Sequence, residues 1–449
     1  MSKNITMIGG GSSSFVPPLL RRLIESSVLR DSTLTLMDVD AERLAVMEKL
    51  GHKVVESESS PLKVRATTDM REAITDADFV ISAISVGGMT AWESDMEIPG
   101  KYGVVMHVAD SIGPGGVMRT LRNAPISRDI AATVADVAPG AWIFNYTNPT
   151  AVEGMAMRTV PGVDVVSLCS CNVHVKSPEW LAEQAGVSPD EIAMPPVVGG
   201  INHCAGVMEL RLRDGTDALE LARATVTNEV MQWALRMYGM LPYCWSHWTE
   251  FHPGMQRLVE PYSGTAQGVT MKYGIRTHDM EEQRARPAEL AALADAWTAP
   301  DAGTVRLSDL PMGDEDEGVE VVDIIESMIA HRPHTYVVNV PNHGAIPNLP
   351  DDAVVEVSAR IDAYGVRPVY AGPLPDALAA LLRGYVALQR QMVRAALSGD
   401  RDDVYRALLL DPTTQSILDL DQIGAMCDEL LAANAQWLPQ FRGRPAGSA

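Results

Sequence analysis

The chain has 449 residues, 46% of them hydrophobic, and its 58 acidic and 36 basic residues give a formal net charge of −22. This length allows a large core and favours two domains or one large α/β unit. A surface this acidic repels nucleic-acid phosphates and anionic lipids, so we expect neither nucleic acid nor a membrane as a partner. The acidic balance gives no indication of the chemistry.

Five cysteines are present, and three of them fall within residues 169–204. An odd number without a regular spacing favours a reducing compartment over a disulfide framework. The N-terminal MSKNITMIGGG has no signal-type pattern, and no apolar run approaches the roughly 20 residues that a membrane helix needs. We therefore expect a soluble, cytoplasmic protein.

The first half of the chain alternates between strand-like and helix-like segments. The strand-like segments are NITMI, STLTLMDVD, DADFVISAIS and AWIFNYTNP. Continuous apolar strands are typical of parallel sheets covered on both faces, and their alternation with helices indicates a doubly wound sheet. The sequence predicts an α/β fold, with a Rossmann-like doubly wound parallel sheet in a first domain over residues 1–195.

After about residue 205 the pattern becomes mostly helical. Helical patterns cover residues 216–240, 375–398 and 415–435, whereas residues 263–315 have few periodic apolar positions and end near the acidic run GDEDEG. We predict a mostly helical α+β domain over residues 196–449. Within it, residues 263–315 are predicted to be irregular surface.

A glycine-rich turn, IGGGSSSF, lies between the first strand and the first helix. Glycine lets backbone amides approach a pyrophosphate, whose charge suits a helix N-terminus, although the third fingerprint position here is Ser14. Asp38 ends the second strand, where a carboxylate can bind the ribose hydroxyls of NAD and disfavour the 2′-phosphate of NADP. The pattern predicts an NAD site; a turn without a cofactor is the alternative.

Polar residues recur in several later segments, and those that end a strand lie where ligands bind in parallel sheets. Asp110 precedes a Gly-Pro-Gly-Gly turn, and NYTNP presents Asn145 and Asn148. Cys171 in CSCNVHV and His203 in GGINHC would suit a divalent transition metal with positions left open for substrate oxygens. Taken singly, each is equally consistent with turn chemistry, a buried cysteine or a core histidine.

Together these segments resemble glycoside hydrolase family four, the NAD- and metal-dependent glycosidases. The resemblance runs in order from residue 4 to about 435, and its C-terminal part is most similar to the branch of α-galactosidases, α-glucosidases and α-uronidases. The matching segments are IGGGS, MDVD, DSIGPGGVMRTLR, NYTNP, CNV, GGINH, SHWTEFHP, GAIPNLPDDAVVEV, GVRPVYAGPLP and LDPTTQSILDLDQI.

The resemblance implies a redox-elimination mechanism, which is an exception to hydrolysis by two carboxylates. NAD⁺ would take a hydride from C3 of the sugar, and a metal would polarise the resulting ketone and acidify the C2 proton. A base would remove that proton, the aglycone would leave by elimination, water would add, and NADH would return the hydride. NAD would therefore act catalytically.

The resemblance also implies that residues 1–195 form an NAD-binding domain and that residues 196–449 serve substrate and metal binding and oligomerisation. It further implies which residues bind the cofactors. Those implied for NAD are Gly9, Gly11, Ser12 and Asp38. Cys171 and His203 match the ligands of the metal, which is usually Mn²⁺ in the family. Cys169 is a rival for the thiolate position because the preceding VVSL aligns to either cysteine; CNV after Cys171 reproduces a family form.

Substrate and proton-transfer roles follow in the same way. Asn148 and Asn172 fall where the family binds substrate hydroxyls, and Asp110 is the leading candidate for the acid. The base that removes the C2 proton has several candidates within YGMLPYCWSHWTEFHP. We take Tyr243, with His247 and Glu250 as the alternatives.

Trp92 lies in the segment where phosphoglycosidase members tend to carry an arginine, so we expect an unphosphorylated glycoside as substrate. Because family members form dimers or tetramers, we expect a homodimer or homotetramer. The alternative is an NAD-dependent dehydrogenase of a sugar or hydroxy acid. An enzyme of that kind does not need the segments CNV and GINH together. A non-catalytic NAD-sensing module is a third possibility.

Overall fold

The computed structural model describes residues 2–299, 306–310 and 320–442, without the side chains of residues 282 and 283. Nine strands form one sheet: β1 (Asn4–Ile8), β2 (Thr33–Met37), β3 (Lys63–Thr67), β4 (Phe79–Ser82), β5 (Trp142–Asn145), β6 (Asp164–Ser167), β10 (His334–Pro341), β11 (Val354–Asp362) and β12 (Gly365–Pro368). Their spatial order is β12-β11-β10-β6-β5-β4-β1-β2-β3. Strands β1 to β6 pair in parallel, and β10 to β12 continue the sheet in antiparallel pairs.

The parallel part of the sheet is buried on both faces by helices, as its apolar strands predict. Met7, Val80, Ile143 and Val166 have no exposed side-chain surface. The predicted Rossmann-like α/β fold is confirmed. The helices of this half are α1 (Val16–Glu25), α2 (Ala41–Ser57), α3 (Met70–Ile74), α4 (Gly88–Lys101), α5 (Gly113–Val137), α6 (Thr150–Met157), α7 (Val173–Lys176) and α8 (Pro178–Ala185).

The second half is mostly helical, as predicted, and adds a small antiparallel sheet. That sheet consists of β7 (Ile192–Ile201), β8 (Cys204–Leu212) and β9 (Leu241–Pro242). The helices are α9 (Ala218–Thr225), α10 (Glu229–Tyr238), α11 (Trp245–Trp248), α12 (Met280–Thr298), α13 (Glu320–Ile329), α14 (Asp376–Ser398), α15 (Arg401–Leu410), α16 (Pro412–Ile417) and α17 (Leu420–Asn434). Among the helices so described, none is long and apolar enough to cross a membrane.

The large sheet takes strands from both sides of residue 195. Strand β10 carries the apolar run HTYVVNVP and pairs with β6 through Asn339 and Ser167. Strand β6 would otherwise be the edge strand of the parallel part, and β10 covers that edge. The core of the Rossmann half is therefore completed by the second half of the chain; the boundary at residue 195 remains a prediction.

The prediction of irregular structure over residues 263–315 is wrong for α12. This helix is amphipathic only weakly, but Met280, Leu290 and Ala294 on it are buried, and Asp295 pairs with Lys49 of α2 at 2.7 Å. Packing against α2 therefore stabilises a helix that the apolar pattern does not reveal. The acidic run GDEDEG, residues 313–318, lies outside the described residues.

A buried ion pair anchors the C-terminal helix under α5. The guanidinium of Arg122 donates to both carboxylate oxygens of Asp95 in α4, and also to the side-chain oxygen of Asn434 at the end of α17. The bidentate geometry satisfies the planar guanidinium in a site that excludes water. This contact holds α4, α5 and α17 together beneath the loop that carries Asp110.

Candidate active site

Asp110 lies in the loop between α4 and α5 and is buried. Its carboxylate accepts hydrogen bonds from the amide of Asn148 (Nδ2 to Oδ2, 2.7 Å) and from the hydroxyl of Ser111 (2.8 Å). Asn148 also accepts hydrogen bonds from Thr150 at the start of α6 through its Oδ1. The structure thus brings together two of the predicted site residues, Asp110 and Asn148, at the carboxyl edge of the sheet.

The charge state of Asp110 is set by its neighbours. Burial by itself raises the pKa of this carboxyl, but the positive charge of Arg119, with smaller effects from His203, His247 and the Ser111 hydrogen bond, lowers it to about 2. Asp110 is therefore an ionised carboxylate near neutral pH, which accepts a proton before it can donate one. Its predicted role as the acid remains a prediction.

Glu250 is a buried carboxylate that holds the Asp110 loop. Its Oε1 accepts the backbone N–H groups of Val108 (2.9 Å) and Ala109 (3.0 Å), and its Oε2 lies 3.2 Å from Nδ1 of His247. Burial raises the pKa of Glu250, but the hydrogen bond and charge of His247 outweigh it and hold that pKa below its usual value. An ionised Glu250 therefore ties the loop to the segment around His247.

His203 occupies the two-residue turn that joins β7 to β8. Its backbone has φ 65°, a left-handed conformation that costs energy in a non-glycine residue and is common at functional sites. Its Nδ1 lies 2.9 Å from the hydroxyl of Ser111. Burial, and next the neighbouring His247, lower the pKa of His203 to about 3, so the imidazole is neutral, which is the form that binds metals.

Four possible metal ligands meet beside Asp110. The ligand atoms of Cys171, His203, Cys244 and His247 all lie within 4.8 Å of one another. In the structure the sulfurs of Cys171 and Cys244 are bonded to each other, so reduction is required before either can act as a thiolate. The predicted ligands Cys171 and His203 are thus brought together, and Cys169 lies outside this group. The nitrogen and sulfur donors fit a divalent transition metal.

Asn172 follows Cys171 and is fully buried. Its Nδ2 donates to the carbonyl oxygen of Val337 at 2.8 Å, whereas its Oδ1 has no hydrogen-bond partner among the described residues. A buried acceptor without a partner is costly in a folded protein unless a ligand satisfies it. This geometry is compatible with the predicted contact to a substrate hydroxyl.

The hydroxyl of Tyr243 is engaged inside the protein. It donates to Oε1 of Glu356 in β11, and the other oxygen of Glu356 accepts from Asn202 and Asn339, both at 2.8 Å. Burial first, and then the adjacent Glu356, raise the pKa of Tyr243 well above its usual value. Tyr243 as the base remains a prediction.

Two features of the glycine turn suit a dinucleotide: it has no side chains in the way of the ligand, and it has hydrogen-bond donors without a protein partner. A Cβ at Gly9 would lie 2.2 Å from the carbonyl oxygen of Ala83, at a φ of +94°. The amide of Gly11 donates to Asp38 at 2.9 Å. Within the described residues, the amides and hydroxyls of Ser13 and Ser14, just before α1, have no protein partner. Such donors at a helix N-terminus suit phosphate oxygens.

Comparison with known proteins identifies the family. Residues 4–184 match the model of the family 4 glycosyl hydrolases, and residues 198–414 match the model of their C-terminal domain. An α-galactosidase of Bacillus subtilis is 31% identical, covering 98% of this chain and 100% of its own. The chain belongs to the family 4 glycosyl hydrolases. The predicted resemblance is confirmed, and the protein is a glycoside hydrolase.

Two further relatives support this placement. An α-galactosidase of Rhizobium meliloti is 30% identical over 98% of this chain and 90% of its own length. A 6-phospho-α-glucosidase from gut microorganisms, solved in complex with NAD and Mn²⁺, superposes with a TM-score of 0.80. That structure covers 98% of this chain and 100% of its own, but at 21% identity it shows the shared fold alone.

Sequence reasoning misses part of the site of this family 4 enzyme. It does not place Cys244 beside Cys171 and His203, although this residue lies three positions before His247 in CWSH. It also does not reveal that Glu250 holds the Asp110 loop. The position of Glu250 three residues after His247, in HWTE, is a spacing that places the two side chains on one side of a helical turn.

We expect Glu250→Ala to lower both stability and turnover. The loss of one acceptor leaves buried amides unsatisfied, at a cost of about 1–3 kcal/mol in the free energy of unfolding. Glu250→Gln keeps an oxygen for the loop amides and should be less destabilising. Thermal unfolding and kcat of both variants, with the exposed Glu260→Ala as control, measure this. Wild-type stability in Glu250→Ala would contradict the role of Glu250 in holding the loop.

Proposed function

We propose that this family 4 enzyme hydrolyses an unphosphorylated glycoside by redox-elimination, with NAD and a divalent transition metal as cofactors. The observation that carries the proposal is the convergence of an ionised Asp110, Asn148 and the Cys171–His203 pair at the sheet edge. A hydrolase that used two carboxylates alone would have no need of thiolate and imidazole ligands in its site. α-Galactosides are the first substrates to test, because the Bacillus subtilis and Rhizobium meliloti relatives are both α-galactosidases.

The chain offers separate places for the two cofactors. Ser13 and Ser14 supply unpartnered donors for the NAD phosphates, and Gly9, Gly11 and Ser12 form the turn beneath them. Cys171 and His203 would hold the metal, for which the Mn²⁺ complex of the 6-phospho-α-glucosidase is a precedent. When bound, NAD supplies a hydride acceptor and donor, and the metal supplies a Lewis acid.

The polar residues position the sugar and its protons. Asp110 accepts a proton or hydrogen bond from a sugar hydroxyl, and Asn148 fixes the direction of that carboxylate. The charge of Arg119, whose Nε donates to the carbonyl oxygen of Asn148 at 3.2 Å, keeps Asp110 ionised. Asn172 offers its unpartnered Oδ1 to a second hydroxyl. Tyr243 remains our candidate for the base.

The environment of Trp92 supports an unphosphorylated substrate. Its indole N–H donates to the carbonyl oxygen of Val108 at 2.8 Å, and its ring stacks on His278 with centroids 4.7 Å apart. The guanidinium of Arg119 lies 5.6 Å from the same ring. Trp92 thus stands where phosphoglycosidase members tend to carry an arginine, and the nearby Arg119 is already engaged by the carbonyl oxygen of Asn148 and the charge of Asp110.

We further propose a cytoplasmic homodimer or homotetramer, without nucleic acid as a partner, in which residues 1–195 bind NAD and residues 196–449 complete the substrate site. The net charge of −22 supports the absence of nucleic-acid binding. Light scattering at micromolar concentration measures the assembly, and we expect two or four chains per particle. A monomer would contradict this part of the proposal.

The central test is a panel of nitrophenyl glycosides assayed with and without NAD⁺ and Mn²⁺ under reducing conditions. We expect turnover only when NAD⁺ and a divalent transition metal are both present, without net NADH. Cys171→Ser and His203→Ala should abolish turnover because each removes a metal donor, and both variants should still bind NAD⁺ through the separate glycine turn. Substrate deuterated at C2 should react more slowly if proton abstraction limits the rate.

Two outcomes of this panel would overturn the proposal. Turnover that persists after removal of NAD⁺ and chelation of metal would indicate direct hydrolysis. Net accumulation of NADH, read by its absorbance, would indicate a dehydrogenase instead. Full activity in Cys171→Ser together with loss in Cys169→Ser would move the metal ligand two residues upstream and leave the mechanism intact.

Asp38→Asn tests the choice between NAD and NADP without removing every acceptor from the glycine turn. Asp38 accepts from the amides of Gly11 and Asp40, so an alanine there would also disturb the backbone. Asparagine keeps one oxygen for the amide of Gly11 and removes the negative charge. The repulsion between that charge and the 2′-phosphate of NADP⁺ amounts to roughly 1–4 kcal/mol. Fluorescence titration should show NADP⁺ affinity rising at least ~10-fold relative to NAD⁺. An unchanged ratio would exclude the ribose-side role.

A further inference from the structure

Two further donor side chains lie beside the predicted pair of metal ligands. Cys171 and His203 are joined by Cys244 and His247, so that two sulfurs and two imidazoles lie within 4.8 Å of one another. We propose that Cys244 and His247 are additional metal ligands, and that the reduced protein holds a thiophilic divalent ion, of the Co²⁺, Fe²⁺ or Zn²⁺ class, through two thiolates. This inference rests on the proposed function only for its link to catalysis.

The two imidazoles are oriented in the same way. The Nδ1 of His203 is hydrogen-bonded to Ser111, and the Nδ1 of His247 is engaged by Glu250 at 3.2 Å. With Nδ1 engaged, a metal bond must be made through Nε2 of each ring. A carboxylate or hydroxyl on the remote nitrogen is the usual outer partner of a metal-bound histidine, because it fixes the ring and its tautomer. Both histidines already have that partner.

The rings themselves lie against each other. Their centroids are 4.0 Å apart and their planes differ by 27°, so the two rings are stacked face to face. Two buried imidazoles this close would repel each other if both were protonated, so the stack favours neutral rings, the form that binds metals. Neutral rings with a common metal are therefore compatible with this packing.

The two cysteines are brought together by segments far apart in sequence. Cys171 follows β6, Cys244 caps the N-terminus of α11, and their Cα atoms are 5.7 Å apart across a separation of 73 residues. That distance suits either a disulfide or two thiolates on one metal. In a reducing compartment the thiolate pair is the form that we expect. Metal binding then displaces one proton from each thiol.

Donor type determines which metal such a site prefers. Thiolates favour Zn²⁺, Co²⁺ and Fe²⁺, whereas Mn²⁺ favours carboxylate, carbonyl and water oxygens. A six-coordinate ion with these four donors keeps two positions for neighbouring sugar oxygens, and a tetrahedral Zn²⁺ keeps none. The second thiolate should therefore raise affinity for thiophilic ions much more than for Mn²⁺, and Zn²⁺ should inhibit where Co²⁺ or Fe²⁺ supports turnover.

The test uses the full chain, reduced with a water-soluble phosphine under anaerobic conditions. The phosphine takes the oxygen of one water to become its oxide and converts the Cys171–Cys244 bond into two thiols. After chelation, titration with Co²⁺ should produce a thiolate-to-metal charge-transfer band in the near ultraviolet. Cys244→Ser and Cys171→Ser should each keep about half of that intensity, since each retains one thiolate. Displacement of the bound Co²⁺ by Mn²⁺ should need a large excess of Mn²⁺ in the wild type and a smaller excess in Cys244→Ser.

Cys169→Ala is the matched control, because Cys169 is also buried and lies in the same turn but outside the cluster. Its band should equal that of the wild type. NAD⁺ binding and thermal unfolding verify that each variant is folded. A full band in Cys244→Ser, with none in Cys171→Ser, would overturn the proposal by showing a single thiolate.

The number of sulfur ligands on the metal can also be measured directly, without any variant. X-ray absorption of the reduced, Zn²⁺-loaded wild type should show two sulfurs at about 2.3 Å from the metal; one sulfur or none would overturn the proposal. Neither readout needs turnover. Failure of the glycosidase assay with two sulfurs counted would therefore reject only the proposed function, and activity with one sulfur counted would reject only this inference.

Discussion

The buried carboxylate of Glu250 is the interaction on which the arrangement of the site depends. It belongs to the segment after α11, yet it accepts the backbone amides of Val108 and Ala109 in the loop after α4. A carboxylate removed from water is stable only when its oxygens accept hydrogen bonds, so the loss of these contacts would destabilise the protein. The same group engages His247. The loop that carries Asp110 and the imidazole of His247 therefore share one anchor.

This anchor explains why two halves of the chain build a single site. Asp110 and Asn148 are supplied by the parallel sheet, and His203 by the hairpin of the small sheet, with Ser111 bridging Asp110 and His203 through its hydroxyl. A shift of the loop by about one ångström would disturb both Ser111 contacts, and displacements of that size cost large factors in rate when they misplace catalytic groups. The halves must therefore be held closely against each other.

The parts of this arrangement that the sequence predicts are those that depend on local pattern. The glycine turn and apolar strands indicate a Rossmann-like sheet, and the rule that ligands bind at the carboxyl ends of parallel strands places Asn148 at the edge where the structure shows it in contact with Asp110. Contacts between distant segments are not encoded locally. Nothing around CWSH predicts that Cys244 meets Cys171 across 73 residues. Helix α12 is hidden for a similar reason, because its stability comes from packing on α2 and its own apolar periodicity is weak.

The pairing of β10 with β6 is another contact of this kind, and it supports the position of His203. Asn339 in β10 and Glu356 in β11 are cross-strand partners, and the carboxylate of Glu356 accepts from Asn202, the residue that precedes His203 in its turn. Tyr243 donates to the same carboxylate. Burial raises the pKa of Glu356, and a carboxyl in such surroundings is stable only while its hydrogen bonds are kept. The antiparallel extension of the sheet therefore holds the left-handed backbone of His203 in place, and the metal site depends on strands that a Rossmann sheet alone would not contain.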